Sequence, residues 1–227
     1  MAATTGKDEG SARPRVALIY TAASQVTREG EYLATYLGLV LATTQAAESV
    51  AVVAVSTDAV ASRATREEEN AALRVDGVVV RAAQLLQQQQ AKAKTDSAAL
   101  CSYVETRDVE VLRDSHVWIL CVDAHTTTRT VDMLKRRGVA APMERVTAKG
   151  KKATCKRVII SLQPALRRLR ELEEAFPKDT VLHGGACFHL ARNQHGVLYP
   201  LSHGCFFIER LAYVASPLPP LPSILTI

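Results

Sequence analysis

Four of the six histidines, His183, His189, His195 and His203, fall close together in the sequence, with Cys187 and Cys205 among them. Histidine and cysteine are the side chains that most readily hold metals or attack carbonyl carbon, so chemistry is sought here first. The spacings do not make a site. No two of these histidines stand four residues apart, the spacing that sets two ligands on one helix face, and no two of the five cysteines form a Cys-x-x-Cys pair. Cys187 with His189, and Ser202 with His203, lack an acidic neighbour to orient the imidazole, which argues against nucleophilic catalysis. The residues therefore assign neither a catalytic group nor a metal ligand, and ordinary hairpin histidines are the expectation.

A different chemistry is offered by "VALIYTAASQVTREGEYLATYLG" (16–38). A short apolar run passes through a polar turn into an amphipathic helix, on which Leu33, Tyr36, Leu37, Val40 and Leu41 recur at helical spacing. The start of such a helix turns unpaired N–H groups and the positive end of its dipole toward an anion. That is how a βαβ unit holds the phosphates of a nucleotide, normally through a glycine-rich turn. Here the turn is long, and Gly30 is flanked by Glu29 and Glu31. A carboxylate about 5 Å from a pyrophosphate, at an effective dielectric of about 20, repels each unit of charge by about 3 kcal/mol.

Several elements must position that helix start. "VALI" (16–19), "VAVVAVS" (50–56), "HVWILCV" (116–122) and "RVIISL" (157–162) are continuous apolar runs, the pattern of strands covered on both faces. Helices are predicted in "HTTTRTVDMLKRRG", stopped at Gly138, and in "PALRRLRELEEAF", with Pro164 in the first turn and a stripe of Leu166, Leu169, Leu172 and Phe176. "TREEENAALRVDG" (65–77) reads as a charged helix, and "VVVRA" (78–82) and "CSYVETR" (101–107) as strands. "TVL" (180–182), "GACFHLA" (185–191) and "GCFFIER" (204–210) read as late strands, the last two pairing with each other. Alternating strands and helices predict an α/β fold, a doubly wound and mostly parallel Rossmann-like sheet with a late antiparallel hairpin. The expected organisation is a flexible leader at 1–14, one domain at 15–210 with polar insertions at 83–99 and 139–156, and a proline-rich tail at 211–227.

The bulk numbers narrow the partners. Hydrophobic residues at 48% and charged residues at 22% fit a globular chain, and no apolar run reaches the ~20 residues of a membrane span. The net charge of +5 comes largely from 148–157 and 167–171, without the interleaved aromatics of a nucleic-acid surface. Neither nucleic acid nor membrane is an expected partner. The start of the chain lacks a secretory apolar stretch, and the cysteines suit a reducing compartment, so a cytoplasmic protein is expected. Cys121 and Cys205 are read as small hydrophobes within apolar strands.

Three motifs, in order, resemble the ketopantoate reductase family, the NADP-dependent 2-dehydropantoate 2-reductases. "LATYLGLVLA" (33–42) is similar to the family's first helix, Ile-Gly-x-Tyr-Leu-Gly-x-x-Leu-Ala. "DSHVWILCVDAHTT" (114–127) resembles the strand and turn that in the family end Val-Lys-Ala-Tyr-Gln-Thr. "VIISLQPALRRLRELEEAFPKDTVLHGGACFHLARNQHGVLYPLSHGCFFIE" (158–209) is similar to a strand ending Gln-Asn-Gly, a leucine-patterned helix, Thr-Val-Leu-x-Gly and a closing hairpin. The resemblance covers 15–210, the family's N-terminal cofactor domain. It implies hydride transfer from NADPH to a 2-keto acid, giving pantoate, with a small 2-keto acid as substrate and the phosphates on the first helix N-terminus.

Laid on the family pattern, Ala34 takes the place of the third glycine of the phosphate turn, Glu29 and Glu31 those of the first two, and Gly30 lies between them. Gln163 matches the glutamine of Gln-Asn-Gly, while Pro164 and Ala165 replace the other two residues. Gly30, Ala34 and Gln163 are thus the implied cofactor contacts. Asp123 stands where the family has a lysine, a reversal of charge. Arg63 and Arg66 follow the second strand, where an arginine would meet the 2′-phosphate of NADP; a solvated helix start explains them equally well. The family's proton donor and carboxylate contact lie in a helical C-terminal domain, which is expected to be lacking here. NADP binding is accordingly expected to be weakened or lost. The alternative is a non-catalytic binding module, and a homodimer is the expected assembly.

Overall fold

Val16, Ala17, Leu18, Ile19 and Tyr20 are all buried, which makes β1 (Arg15–Thr21) an interior strand of the sheet the sequence predicts. The computed structural model describes residues 13–22, 29–55, 72–75, 78–81, 101–141, 143–146, 152–163, 165–187, 189–194, 197–201 and 205–208. Around β1 lie β2 (Ser49–Val55), β5 (Ser102–Thr106), β6 (Val117–Leu120), β9 (Val158–Ser161), β10 (Thr180–Ala186) and β13 (Phe206–Ile208). Their order across the sheet is β13-β10-β9-β6-β1-β2-β5. All neighbours are parallel except β13, which runs antiparallel to the end of β10. Apart from β13, this is the order of two βαβαβ halves diverging from a seam between β1 and β6.

Strand alternation divides the interior into two cores. Val16, Leu18 and Tyr20 join the core beneath α1 (Glu29–Thr43), together with Val50, Val52, Ile119 and Ile160. Ala17 and Ile19 face the other way, toward Trp118, Ile159 and the helices α2 (Thr127–Arg136) and α3 (Leu166–Ala175). Helix α2 stops as predicted: Gly138 takes a φ of 67°, its N–H meets Lys135 O, and the Val139 N–H meets Leu134 O. That pair of bonds is a Schellman ending, which a side chain at position 138 would strain. Helix α3 begins at Leu166 with Ala165 as its extended cap, two residues after the predicted start at Pro164, which itself lies outside the described residues.

Three expectations are corrected. The charged stretch 65–77 is not all helix: Ala72–Val75 is a strand, β3, which forms an antiparallel pair with β4 (Val78–Arg81). The remainder of that stretch lies outside the described residues. Nor does "GACFHLA" form one strand. Its start belongs to β10, whereas β11 (Leu190–Arg192) turns back to pair with β12 (Val197–Pro200). β12 in turn runs parallel to β3, making a second sheet in the order β11-β12-β3-β4. The buried face of α1 is displaced from the predicted stripe: Ala34, Leu37, Leu39, Leu41 and Ala42 are inside, whereas Leu33, Tyr36 and Val40 are only partly buried. β11 also contacts this helix.

The insertion at 139–156 carries its own ribbon, β7 (Met143–Val146) with β8 (Lys152–Cys155). The insertion at 83–99, the leader and the tail fall outside the described residues. No helix among the described residues is long and apolar enough to cross a membrane.

Candidate functional site

Side-chain polarity changes along the rows of the sheet. One row of paired residues reads Val52, Leu18, Ile119, Ile160 and Leu182, apolar throughout. The next row toward the strand C-termini reads Val53, Ile19, Leu120, Ser161 and His183. Polar groups thus enter on β9 and β10, beside the seam where a doubly wound sheet opens a crevice at its C-terminal edge.

Gln163 lies just past β9 and is 3% exposed, and neither its amide nitrogen nor its amide oxygen has a hydrogen-bond partner. Ser161 Oγ and, on α2, Thr130 Oγ1 are also buried without a partner. Burying an amide without hydrogen bonds costs about 1–3 kcal/mol on protein scales, so the native fold carries a real penalty here. The backbone of the same residue is engaged: Gln163 O lies 3.0 Å from His183 Nε2. The His183 ring meets Phe207 edge-on, with centroids 5.9 Å apart.

The α1 start closes down on the seam. A Cβ at Gly30 would lie 2.2 Å from Cys121 O, so no larger residue fits without moving backbone. Gly30 therefore lets the helix approach the end of β6, one of the jobs a glycine does in this turn. Ala34, one turn on, is fully buried. Glu29 and Glu31 occupy the first turn of α1, with Glu29 exposed and Glu31 half-buried. Residues 23–28, which precede them, lie outside the described residues.

Asp123 has a structural duty. Its Oδ1 accepts from the backbone N–H groups of His125 and Thr126, each at 2.7 Å, and from Thr126 Oγ1 at 3.1 Å. Thr127 Oγ1 donates to Asp123 O at 2.7 Å. The carboxylate thereby closes the turn that starts α2, at the end where helix N–H groups favour negative charge. Thr126 also reaches across the seam, its hydroxyl 3.1 Å from that of Thr21 at the end of β1.

The structure thus gathers Gly30, Asp123 and Gln163 on the C-terminal edge of β1, β6 and β9, with Ala34 packed behind them. Arg63 and Arg66 lie outside the described residues, as do His195 and His203. His189 is exposed on the approach to β11. Ser161 has one sign in the sequence, a polar residue closing the apolar run "RVIIS". Cys205 is exposed rather than a core hydrophobe, because β13 is an edge strand. Cys121 is buried, and burial pushes its thiol up. Among the described residues, no group of three or more His, Cys, Asp or Glu is placed to hold a metal ion.

The fold is of the Rossmann-like, doubly wound class. No protein-family model matches the sequence, and no curated protein matches it in sequence. Solved structures do. A PanE/ApbA family ketopantoate reductase from Ralstonia eutropha JMP134 overlays with a TM-score of 0.51 and 13% identity, over 87% of this chain and 50% of that one. A 2-dehydropantoate 2-reductase from Methylococcus capsulatus gives a TM-score of 0.47 at 15% identity, over 85% and 47%. The chain shares its fold with about half of the Ralstonia eutropha structure, and it spans about half the length of both of these solved structures.

Proposed function

We propose that this chain is a dinucleotide-binding domain of the ketopantoate reductase type, taking NADP weakly across the C-terminal edge of its sheet. The orphaned amide of Gln163, buried beside the seam, carries the reading. An amide that donates and accepts suits a carboxamide or a keto acid group, and binding one would remove the penalty of its burial. The fit at the other end is poor. Glu29 and Glu31 put two carboxylates in the helix turn where a pyrophosphate would settle, so no hydride step is derived. Reduction of 2-dehydropantoate would also require an acid and a carboxylate contact, and neither is assigned among the described residues.

A non-catalytic binding module is the second reading, favoured by those glutamates and by Asp123, whose carboxylate is engaged with the start of α2. NADPH titration of the purified chain, followed by fluorescence and thermal shift, separates the two. The expected dissociation constant lies at about 0.1–1 mM, or about −5.5 to −4.1 kcal/mol. Gln163→Leu should weaken it at least several-fold. No shift at saturating NADPH, or equal affinity in that variant, would remove the dinucleotide reading and leave the module.

A further inference from the structure

Beyond the crevice, the two late cysteines stand directly opposite each other. The antiparallel register of β10 and β13 pairs Gly184 with Ile208, Gly185 with Phe207 and Ala186 with Phe206. One step further, the Cys187 N–H donates to Cys205 O at 2.9 Å, which continues the ladder to this pair. Both cysteines are exposed and both are free thiols. Opposed residues that share such a bond have Cα atoms about 5.5 Å apart. A disulfide spans Cα separations of about 4.4–6.8 Å. The side chains are also in touch: the Cys187 thiol is pushed above its ordinary value by desolvation and by the Cys205 thiol hydrogen-bonded to it.

The other cysteines have no such arrangement. Cys101 and Cys121 are buried, and burial pushes the Cys101 thiol up to about 11. Cys155 faces Met143 across the β7–β8 ribbon.

We propose that Cys187 and Cys205 are a reversible dithiol–disulfide couple, a modification site for hydroperoxides on the edge of the sheet. The Cys205 thiolate attacks the peroxide O–O bond, which breaks; a sulfenic acid forms on Cys205, and the departing hydroxide or alkoxide takes up a proton. The second thiol then attacks the sulfenic sulfur, the S–O bond breaks, the S–S bond forms and water leaves. Two thiols lose two hydrogens, and hydrogen peroxide, as the simplest oxidant, becomes two waters. Cross-strand Cβ atoms lie about 4.5–5.5 Å apart, wider than the roughly 3.5–4.5 Å of a relaxed disulfide. An exposed bond closed under that strain is readily reduced, which suits a switch better than a permanent staple. The ring would enclose β11 and β12, fixing the second sheet's attachment to the edge of the first.

The test is thiol mapping of the folded full chain. Exposed to hydrogen peroxide, alkylated and digested without reductant, it should fall from five free thiols to three. A Cys187–Cys205 cross-linked peptide should appear and be lost on adding dithiothreitol. In Cys187→Ser the cross-link should vanish, and Cys205 should be trapped as a sulfenic acid adduct. The proposal is overturned if both cysteines stay alkylatable at peroxide levels that sulfenylate free cysteine, or if the disulfide joins two chains.

Discussion

The two ends of the central sheet are built on opposite terms. At the N-terminal end of its strands, buried polar groups are mostly answered. Arg157 is fully buried and its Nε has no partner, but its two terminal nitrogens donate to Val139 O and Ala141 O, at 3.2 and 2.7 Å, and the guanidinium lies 3.9 Å from the centre of the Trp118 ring. Trp118 donates its indole N–H to Leu112 O and meets Phe176 edge-on, with centroids 5.7 Å apart. The Arg157 N–H binds Asp179, and Arg15 N–H binds the His116 ring. At the C-terminal end Ser161 and Gln163 are buried and unanswered. One end answers most of its buried polar groups within the fold; the other leaves a whole side-chain amide and a hydroxyl unanswered. Such a division is expected where a ligand completes one end.

The sharpest way to break the comparison is Trp118→Ala. It removes the ring that Arg157 and Phe176 rest on and should cost about 3–5 kcal/mol in a denaturant melt. Arg157→Met comes next. It leaves the carbonyls of Val139 and Ala141 without their donor, for a loss of about 2 kcal/mol. Neither change should move the NADPH affinity of the folded protein more than about twofold, a free-energy change near 0.4 kcal/mol. If either does, the two ends are coupled and the contrast fails. Gly30→Ala tests the other end by overpacking the helix start against Cys121 O, and should destabilise by about 1–2 kcal/mol.

Gln163→Leu should act in the opposite direction. Removing an unpaired buried amide should stabilise the chain by about 1 kcal/mol, while NADPH binding weakens. A destabilised Gln163→Leu would mean that the amide already has a partner. The smallest effect concerns Glu171, which bridges α3 to α2. Thr128 Oγ1 donates to it at 2.9 Å, and Arg168 pairs with it. The Thr128 hydroxyl first, then Arg168, hold its carboxyl below the ordinary glutamate value. A depressed folded-state pKa gives stability that is full above the unfolded value and lost as pH falls through the folded one. The difference in melting temperature between the native chain and Glu171→Gln should therefore be small at pH 7 and close below about pH 4.

The parts of the fold visible in the sequence are those whose signal is local. β1, β2, β6 and β9 are unbroken apolar runs because both of their faces are covered. The stop of α2 is read from Gly138. β3 is masked in the sequence by the helical leaning of "EEENAALR", although its pairing with β4 has a local sign, the dipeptide Asp76-Gly77 between the two apolar runs. The exposure of Cys205 was hidden for a related reason: "CFFI" reads as core, and only the sheet order shows that β13 is an edge. Within the candidate site, Gln163 was legible through motif resemblance alone. Nothing in its neighbours announces that its amide is buried and unpaired. The structural duty of Asp123, by contrast, could be read from its turn chemistry.

The pairing of β12 with β3 has a mechanical consequence. Val197 and Leu198 lie beside Ala72 and Leu73, so a strand from late in the chain is stitched to the connection that leaves β2. The halves on either side of the β1–β6 seam are thereby clasped a second time, away from that seam. Closing so long a loop makes assembly slow, since distant segments must meet before either gains from the contact. Once closed, the clasp opposes any swing of one half against the other, so a guest molecule would meet a rigid shelf instead of a closing jaw.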